Sequence, residues 1–396
     1  MKWLVLIPLF ITVFETNVVL SAEPTFHTAP IFPAQGKHTH GSSLVECPNG
    51  DLLACWYHGS GERNANDVVI QGARLKRDTR AWSEPFLMAD TPNLPDCNPV
   101  LFVDRQKRLW LFWVVVRANR WERSILKYRV AHDYAGNGAP NWSWQDIIIL
   151  KPGKNFAENL RKGFRELQVD DGVWGEYALP FQKLIVAAAE DPVKRQVGWM
   201  TRIHPVQLPS GRILVPLYSD GFVQCLMAVS DDDGKTWNAS RPIVGLGASQ
   251  PTIVQLKSGQ LKTFHRDDGA LPKRAQSSTS DDGGLTWSVA RDTDIPNPGS
   301  SLEVIVLTDG RWAMAFNDTE RGRHRFAVAV SDDEGQTWKW KRHIERARRG
   351  EGGFSYPSLI QASDGHLHVT YSHKRTGEGA TIQHAAFNVE WVTKAK

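Results

Sequence analysis

Apolar residues in this chain come in short runs, each followed by a polar turn and a second short run. The pattern recurs at residues 47–52, 208–213, 257–261, 308–312 and 363–367, with a glycine in each turn, and without one at residues 104–110. Runs of this length joined through glycine are hairpin chemistry, because glycine supplies the positive φ that a tight turn requires. Six such turns predict six antiparallel units.

A second pattern fixes the period. Ser230-Asp231-Asp232-Asp233-Gly234-Lys235-Thr236-Trp237 returns at residues 280–287 and 331–338, at intervals of 50 and 51 residues. A repeat of this length in a chain of short strands predicts propeller blades. In each box Asp and Gly should turn the chain between the third and fourth strands. Thr and Trp should begin the fourth, with the indole wedged between sheets. Trp82 and Trp144 read as worn copies in blades one and two. The expected architecture is all-β: a six-bladed β-propeller formed by residues 23–396. Residues 23–36 are expected to supply the outer strand of the last blade and so close the ring. The period breaks at residues 151–200, where Phe156, Leu160 and Phe164 have helical spacing within Asn155 to Leu167. A further segment follows from Val173 to Leu179. A partly helical insertion between blades two and three is predicted.

Composition adds three points. Of 396 residues, 41% are hydrophobic and 23% charged, which excludes disorder, and there is no Gly-X-Y period. The 47 bases and 43 acids are dispersed, so nucleic acid is not an expected partner. The 16 tryptophans are an excess that the boxes explain in part; Trp56, Trp121 and Trp174 are not accounted for by the repeat. Residues 1–22 read as an export signal: Lys2, an apolar stretch to Phe14, and small residues at Ser21-Ala22. Glu15 and Asn17 interrupt it well short of the roughly 20 apolar residues of a spanning helix. Secretion or periplasmic location is therefore expected, without a membrane span after signal removal. Cys47, Cys55, Cys97 and Cys225 lack metal-site spacing. Cys47 and Cys55 flank a hairpin and could approach each other; equally they read as buried small hydrophobes. No metal cluster or nucleotide loop is visible, so no cofactor is expected.

The three boxes, together with Tyr356-Pro357-Ser358-Leu359, make residues 37–392 resemble the sialidase (neuraminidase) superfamily, closest to bacterial sialidase-like proteins with BNR (Asp-box) repeats. The resemblance implies an exo-acting glycosidase for a terminal sialic acid or related acidic sugar. In it three arginines would grip a carboxylate, a Tyr–Glu pair would attack the anomeric carbon, and an Asp would donate a proton. Arginine forks suit a planar carboxylate, and a tyrosine nucleophile avoids setting an anion against an anionic substrate.

By that resemblance Asp67 is the general acid and Arg63 its accessory arginine. Arg266 is the second triad arginine, Arg323 or Arg325 the third, and Tyr356 the nucleophile. Two positions depart from the pattern: His40 stands where the first arginine belongs, and Gln250 where the glutamate that polarises tyrosine belongs. A neutral amide cannot take the phenol proton; Glu62, Glu303 and Glu351 are carboxylates that could compensate. Asn98-Pro99, Arg202, His204-Pro205, Asn297-Pro298, Asn317-Asp318 and His373 share the same blade end. Proline there should hold the preceding residue extended. The expected partner is an acidic glycan, and the expected state a monomer. Two other readings stay open: a lyase or uronate-processing enzyme with His40 or His204 as base, and a non-catalytic carbohydrate-binding propeller.

Overall fold

The computed structural model describes residues 22–79, 81–168 and 179–394. The export segment expected at residues 1–22 therefore lies, apart from Ala22, outside the described residues, as do Trp174 and, apart from Leu179, the segment expected from Val173 to Leu179.

Six antiparallel sheets stand around one axis. Blade one is His38–Glu46, Leu52–Gly59, Val69–Leu75 and Phe86–Ala89. Blade two is Asp96–Val103, Leu109–Val115, Ile125–Asp133 and Asn141–Ile148. Blade three begins with an interrupted strand, Met200–Thr201 and Val206–Gln207, then Ile213–Ser219, Gln224–Ser230 and Asn238–Ala239. Blade four is Ala248–Gln255, Leu261–Asp267, Arg274–Ser280 and Arg291–Pro296, and blade five Glu303–Val306, Trp312–Asn317, Arg325–Ser331 and Trp340–Arg346. Blade six takes Gly352–Gln361, Leu367–Arg375 and Gly379–Phe387 from the C-terminal end and its outer strand, Phe26–Pro30, from the N-terminal end. Pairing of Phe26 with Phe387 and of Pro30 with Gln383 fastens the two ends of the ring together.

First strands neighbour one another around the axis. Their apolar residues, among them Val45, Val103, Ile253, Ile305 and Ile360, line a central cavity of about 490 Å³. His204 of blade three crosses this channel: its Nδ1 meets Glu303 Oε1 of blade five at 2.5 Å, and its Nε2 the Leu44 carbonyl at 2.9 Å. Glu303 Oε2 also accepts the Leu359 N–H at 2.7 Å.

The three boxes fold alike. In the first, Ser230 Oγ donates to Asp232 Oδ1 at 2.9 Å and accepts the Gly234 N–H at 2.8 Å. Asp232 in turn accepts the Thr236 N–H at 2.9 Å and its hydroxyl at 2.6 Å. The same bonds join Ser280, Asp282, Gly284 and Thr286, and Ser331, Asp333, Gly335 and Thr337. Gly234 has φ 84°, and a Cβ there would lie 2.3 Å from Trp110 of blade two, so the turn position accepts only glycine. Trp237 meets Trp110 and Phe112 edge-on, and Trp338 meets Phe264 of blade four, which is the wedge expected of them. Trp144 is a correction: it is 60% exposed, and Trp142, two residues earlier, packs against the core instead.

The interruption after blade two contains helix Phe156–Leu167, with Phe156, Leu160 and Phe164 buried, and helix Leu179–Glu190. Phe156 packs edge-on against Trp199 and Phe222. Gly163 lies so close to Val244 that a Cβ would come within 2.5 Å. The helices thus lean on blade three and the connection to blade four. All four cysteines are buried and free; Cys47 and Cys55 do not pair.

Candidate active site

In four blades the first strand carries a bulge at the same place. Register slips between His40 and Ser43, Cys97 and Val100, Ser249 and Thr252, and Ser355 and Ser358. The bulged residues Gly41, Asn98, Gln250 and Tyr356 all have positive φ, at 64°, 52°, 50° and 59°. This corrects the expectation of an extended residue before proline: Asn98, Gln250 and Tyr356 each precede proline yet are left-handed. For a residue as bulky as tyrosine this is a strained conformation. Its effect is to turn the Asn98, Gln250 and Tyr356 side chains toward the mouth of the ring. All three line one pocket of about 440 Å³, with Glu62, Trp121, Tyr218, Asp220, Arg266 and Asp268.

Tyr356 is the centre of the group. Arg266 Nη1 donates to its phenol oxygen at 2.8 Å, and Gln250 Nε2 does so at 3.4 Å. The guanidinium groups of Arg202 and Arg323 lie 4.9 and 5.3 Å from its ring centroid, and His40 stacks on it at 4.2 Å. Burial alone would raise the phenol's pKa. Arg266 and Arg323, with the Gln250 bond, outweigh burial and hold it below the usual tyrosine value. His40 is pushed well below the usual imidazole value, by burial first and then by Arg323, His38, Arg202 and Arg266. It is neutral at pH 7, with its Nδ1 2.7 Å from Ser372 Oγ.

The arginines divide by role. Arg202 is buried and gives its terminal nitrogens to main-chain carbonyls: Ser42 at 3.0 Å, Tyr356 at 2.6 Å and Pro357 at 3.3 Å. It braces the strained segment and offers little to a ligand. Arg266 is tied to Asp268 at 2.6 Å. Arg323 donates to the Gly299 carbonyl at 2.6 Å and has no carboxylate within 4.0 Å among the described residues. Arg325 begins its strand exposed and does not join the group, so of the two alternatives it is Arg323 that reaches Tyr356. Arg63 sits on the rim, 5.7 Å from the Trp121 ring and 3.7 Å from Glu62.

The carboxylates divide as well. Asp67 does not line this pocket. It is half exposed, bonded to the Ser60 N–H and hydroxyl, 3.6 Å from Lys37, and held below the usual carboxyl value by those Ser60 bonds. A group so stabilised as an anion is a poor proton donor. Glu62, five residues earlier in the same loop, does line the pocket and accepts the Tyr57 hydroxyl at 2.7 Å. Asp220 is open to solvent on its pocket side but backed by protein. Desolvation, and then the charge of Asp268, lift it to about 6. Glu303 is bound in the channel, and Glu351 is exposed beside Arg348, so neither replaces the missing base.

His204 is likewise held in the channel and is not available as a base. Asn297 closes its own turn with Ser300, Asn317 donates to the Phe354 carbonyl, and Asp318 pairs with Lys341. Asn98 donates to the Tyr218 hydroxyl at 3.0 Å. Tyr218, Asp220 and Asp268 carry no sequence signal, because a strand-end Tyr-Ser-Asp or Arg-Asp-Asp looks like any blade edge.

A sequence profile for the BNR repeat-like domain matches residues 50–177 and 191–369. A sialidase of Micromonospora viridifaciens is 27% identical over 181 residues, which is 43% of this chain and 26% of that protein. The chain thus spans about a quarter of that relative's length. In structure it resembles a leech intramolecular trans-sialidase (TM-score 0.68, 16% identity, covering 93% of this chain and 71% of the other). It also resembles a protein of unknown function from Dyadobacter fermentans (TM-score 0.65, 16% identity, covering 91% and 97%).

Proposed function

Given that the chain belongs to the sialidase-like superfamily of BNR-repeat propellers, we propose that it is an exported exo-acting glycoside hydrolase that removes a terminal acidic sugar with retention of configuration. The observation that carries this reading is Tyr356: a tyrosine in strained backbone, aimed into a pocket, with its phenol lowered by Arg266 and Arg323.

Tyr356 is the nucleophile. With Gln250 in place of a carboxylate, no anionic base among the described residues contacts the phenol, and donation from Arg266 and Gln250 stabilises the phenolate instead. Asp220 is the proton donor, since a carboxyl near 6 still holds its proton in mildly acidic solution. In the first step the phenolate oxygen bonds the anomeric carbon. The glycosidic C–O bond breaks, and the leaving oxygen takes the Asp220 proton. In the second, water attacks the anomeric carbon, gives a proton to the Asp220 carboxylate, and Tyr356 departs as phenolate. Arg266, the cation in the lining of this pocket, meets the sugar's anion, and Trp121 supplies an apolar wall.

One observation favours a second reading. His40 is a neutral imidazole in contact with Tyr356 where an arginine would grip a carboxylate; in a lyase it would abstract a proton α to a uronate carboxyl while Tyr356 protonates the leaving oxygen. Fluorogenic sialosides and uronides, assayed beside uronate polymers, separate the two. Hydrolysis yields a reducing sugar without new ultraviolet absorbance; β-elimination yields an unsaturated product that absorbs. Turnover of neither would leave the carbohydrate-binding propeller. The N-terminal apolar stretch supports export, which fractionation of expressing cells tests.

A further inference from the structure

A second cavity, of about 560 Å³, opens on the other side of the Tyr356–His40 stack, between blades six and one. Its nitrogen-bearing walls are Lys37, His38 and His40 from blade one and the chain leading into it, His373 and Lys374 from blade six, and Arg323 from the blade-five loop. No Asp or Glu lines it among the described residues. The first pocket, by contrast, carries Glu62, Asp220 and Asp268 against the single cation Arg266. Polarity is therefore split: proton-transfer groups on one side of Tyr356, cations on the other.

Two of these cations are uncompensated. Neither Arg323 nor Lys374 has a carboxylate within 4.0 Å among the described residues, whereas Lys37 is 3.6 Å from Asp67. Glu62 acts on His38 from the pocket side, and Lys374 opposes it. His38, His40 and His373 all lie below the usual imidazole value, chiefly through burial, and so present single N–H donors rather than charges. What the cavity lacks is a pair of coplanar arginine forks. His40 replaces one, Arg202 is consumed by main-chain carbonyls, and Arg266 is held by Asp268. A single arginine fork fits the edge of a carboxylate or of a phosphate, and further donors on the other two walls, Lys374 and the imidazoles, suit an anion with oxygens in three directions.

We propose that this cavity is a subsite for a tetrahedral oxyanion ester, a sulfate or phosphate carried on the glycan, with Lys374 and Arg323 as its charged contacts. It rests on the proposed function only in taking the bound group to be part of a sugar. The test is calorimetric binding to the full chain of galactose 6-sulfate, galactose 6-phosphate, galacturonate and galactose, which differ only at one carbon. The sulfate or phosphate ester is expected to bind about tenfold or more tighter than galacturonate, as one added charged hydrogen bond allows; which ester wins identifies the natural group. Lys374→Ala, at an exposed position that does not threaten folding, should erase that advantage, and Tyr356→Phe should preserve it. Galacturonate binding as tightly as the esters, or an unchanged preference in Lys374→Ala, overturns the proposal. Since binding is read without turnover, a protein that hydrolyses no glycoside yet shows the preference keeps the subsite and loses only the hydrolase reading.

Discussion

At the scale of single residues, the bulged first strands decide which side chains reach the mouth of the ring. Tyr356, Gln250 and Arg266 were legible in the sequence because motifs and spacing mark them, and they do meet. Asp67 was marked by the same resemblance but is anchored by Ser60 at the loop's far end. No local pattern tells which carboxylate of a polar loop turns inward: Glu62 was one of three candidates that only the fold separates, and Asp220 emerges from the fold alone. Tyr356→Phe is expected to lower kcat on the order of 10³-fold or more while leaving substrate binding nearly unchanged, a split that steady-state kinetics beside calorimetry reads. Asp220→Asn should cost most with a poor leaving group and little with an activated aryl glycoside. Because Asp220 must be protonated to donate, wild-type kcat/KM should fall as pH rises above about 6. That alkaline limb should vanish in Asp220→Asn but persist in Asp67→Asn.

Elements owe their regularity to the boxes, and here the sequence was most informative. A turn that must close within eight residues leaves few chemical solutions, and Ser, Asp, Gly and Thr are all used in the same bonds three times over. Worn copies are harder to place, since without the Asp network nothing fixes the phase; hence Trp142 rather than Trp144 faces inward. Asp333, which its Thr337 and Ser331 bonds hold at about 2 against desolvation, gives a direct test. Asp333→Ala should lower stability by ~1–2 kcal/mol, a partly exposed network being worth less than a buried one. Specific activity should be unchanged, since the box lies at the opposite end of the blade from Tyr356. Thermal denaturation and a parallel assay check both halves. Gly234→Ala should cost more, because a Cβ would strike Trp110 and the backbone is left-handed.

For the whole molecule, closure of the ring holds the two halves of the site together, for Asp220 and Arg266 come from blades three and four and Tyr356 from blade six. Two devices maintain it: the Phe26–Pro30 strand and the His204–Glu303 bridge across the channel. The first follows from the repeat count, which leaves residues 23–36 to complete the last blade; the second joins residues 99 apart and has no local signal. Burial would lower His204, but Glu303 outweighs it and raises the imidazole above its ordinary value. The bridge therefore contributes fully below pH ~6.5 and is lost as pH rises through the raised value. Tm should decline over that range, and Glu303→Gln should remove the dependence at a cost of about 3–5 kcal/mol.

Covalent trapping tests whether Tyr356 is the nucleophile. A fluorinated acidic-sugar substrate with an activated leaving group, incubated with the protein and followed by peptide mass spectrometry, should leave one glycosyl adduct on Tyr356, absent in Tyr356→Phe. Hydrolysis that proceeds without any adduct there, with product released as the inverted anomer, would contradict it.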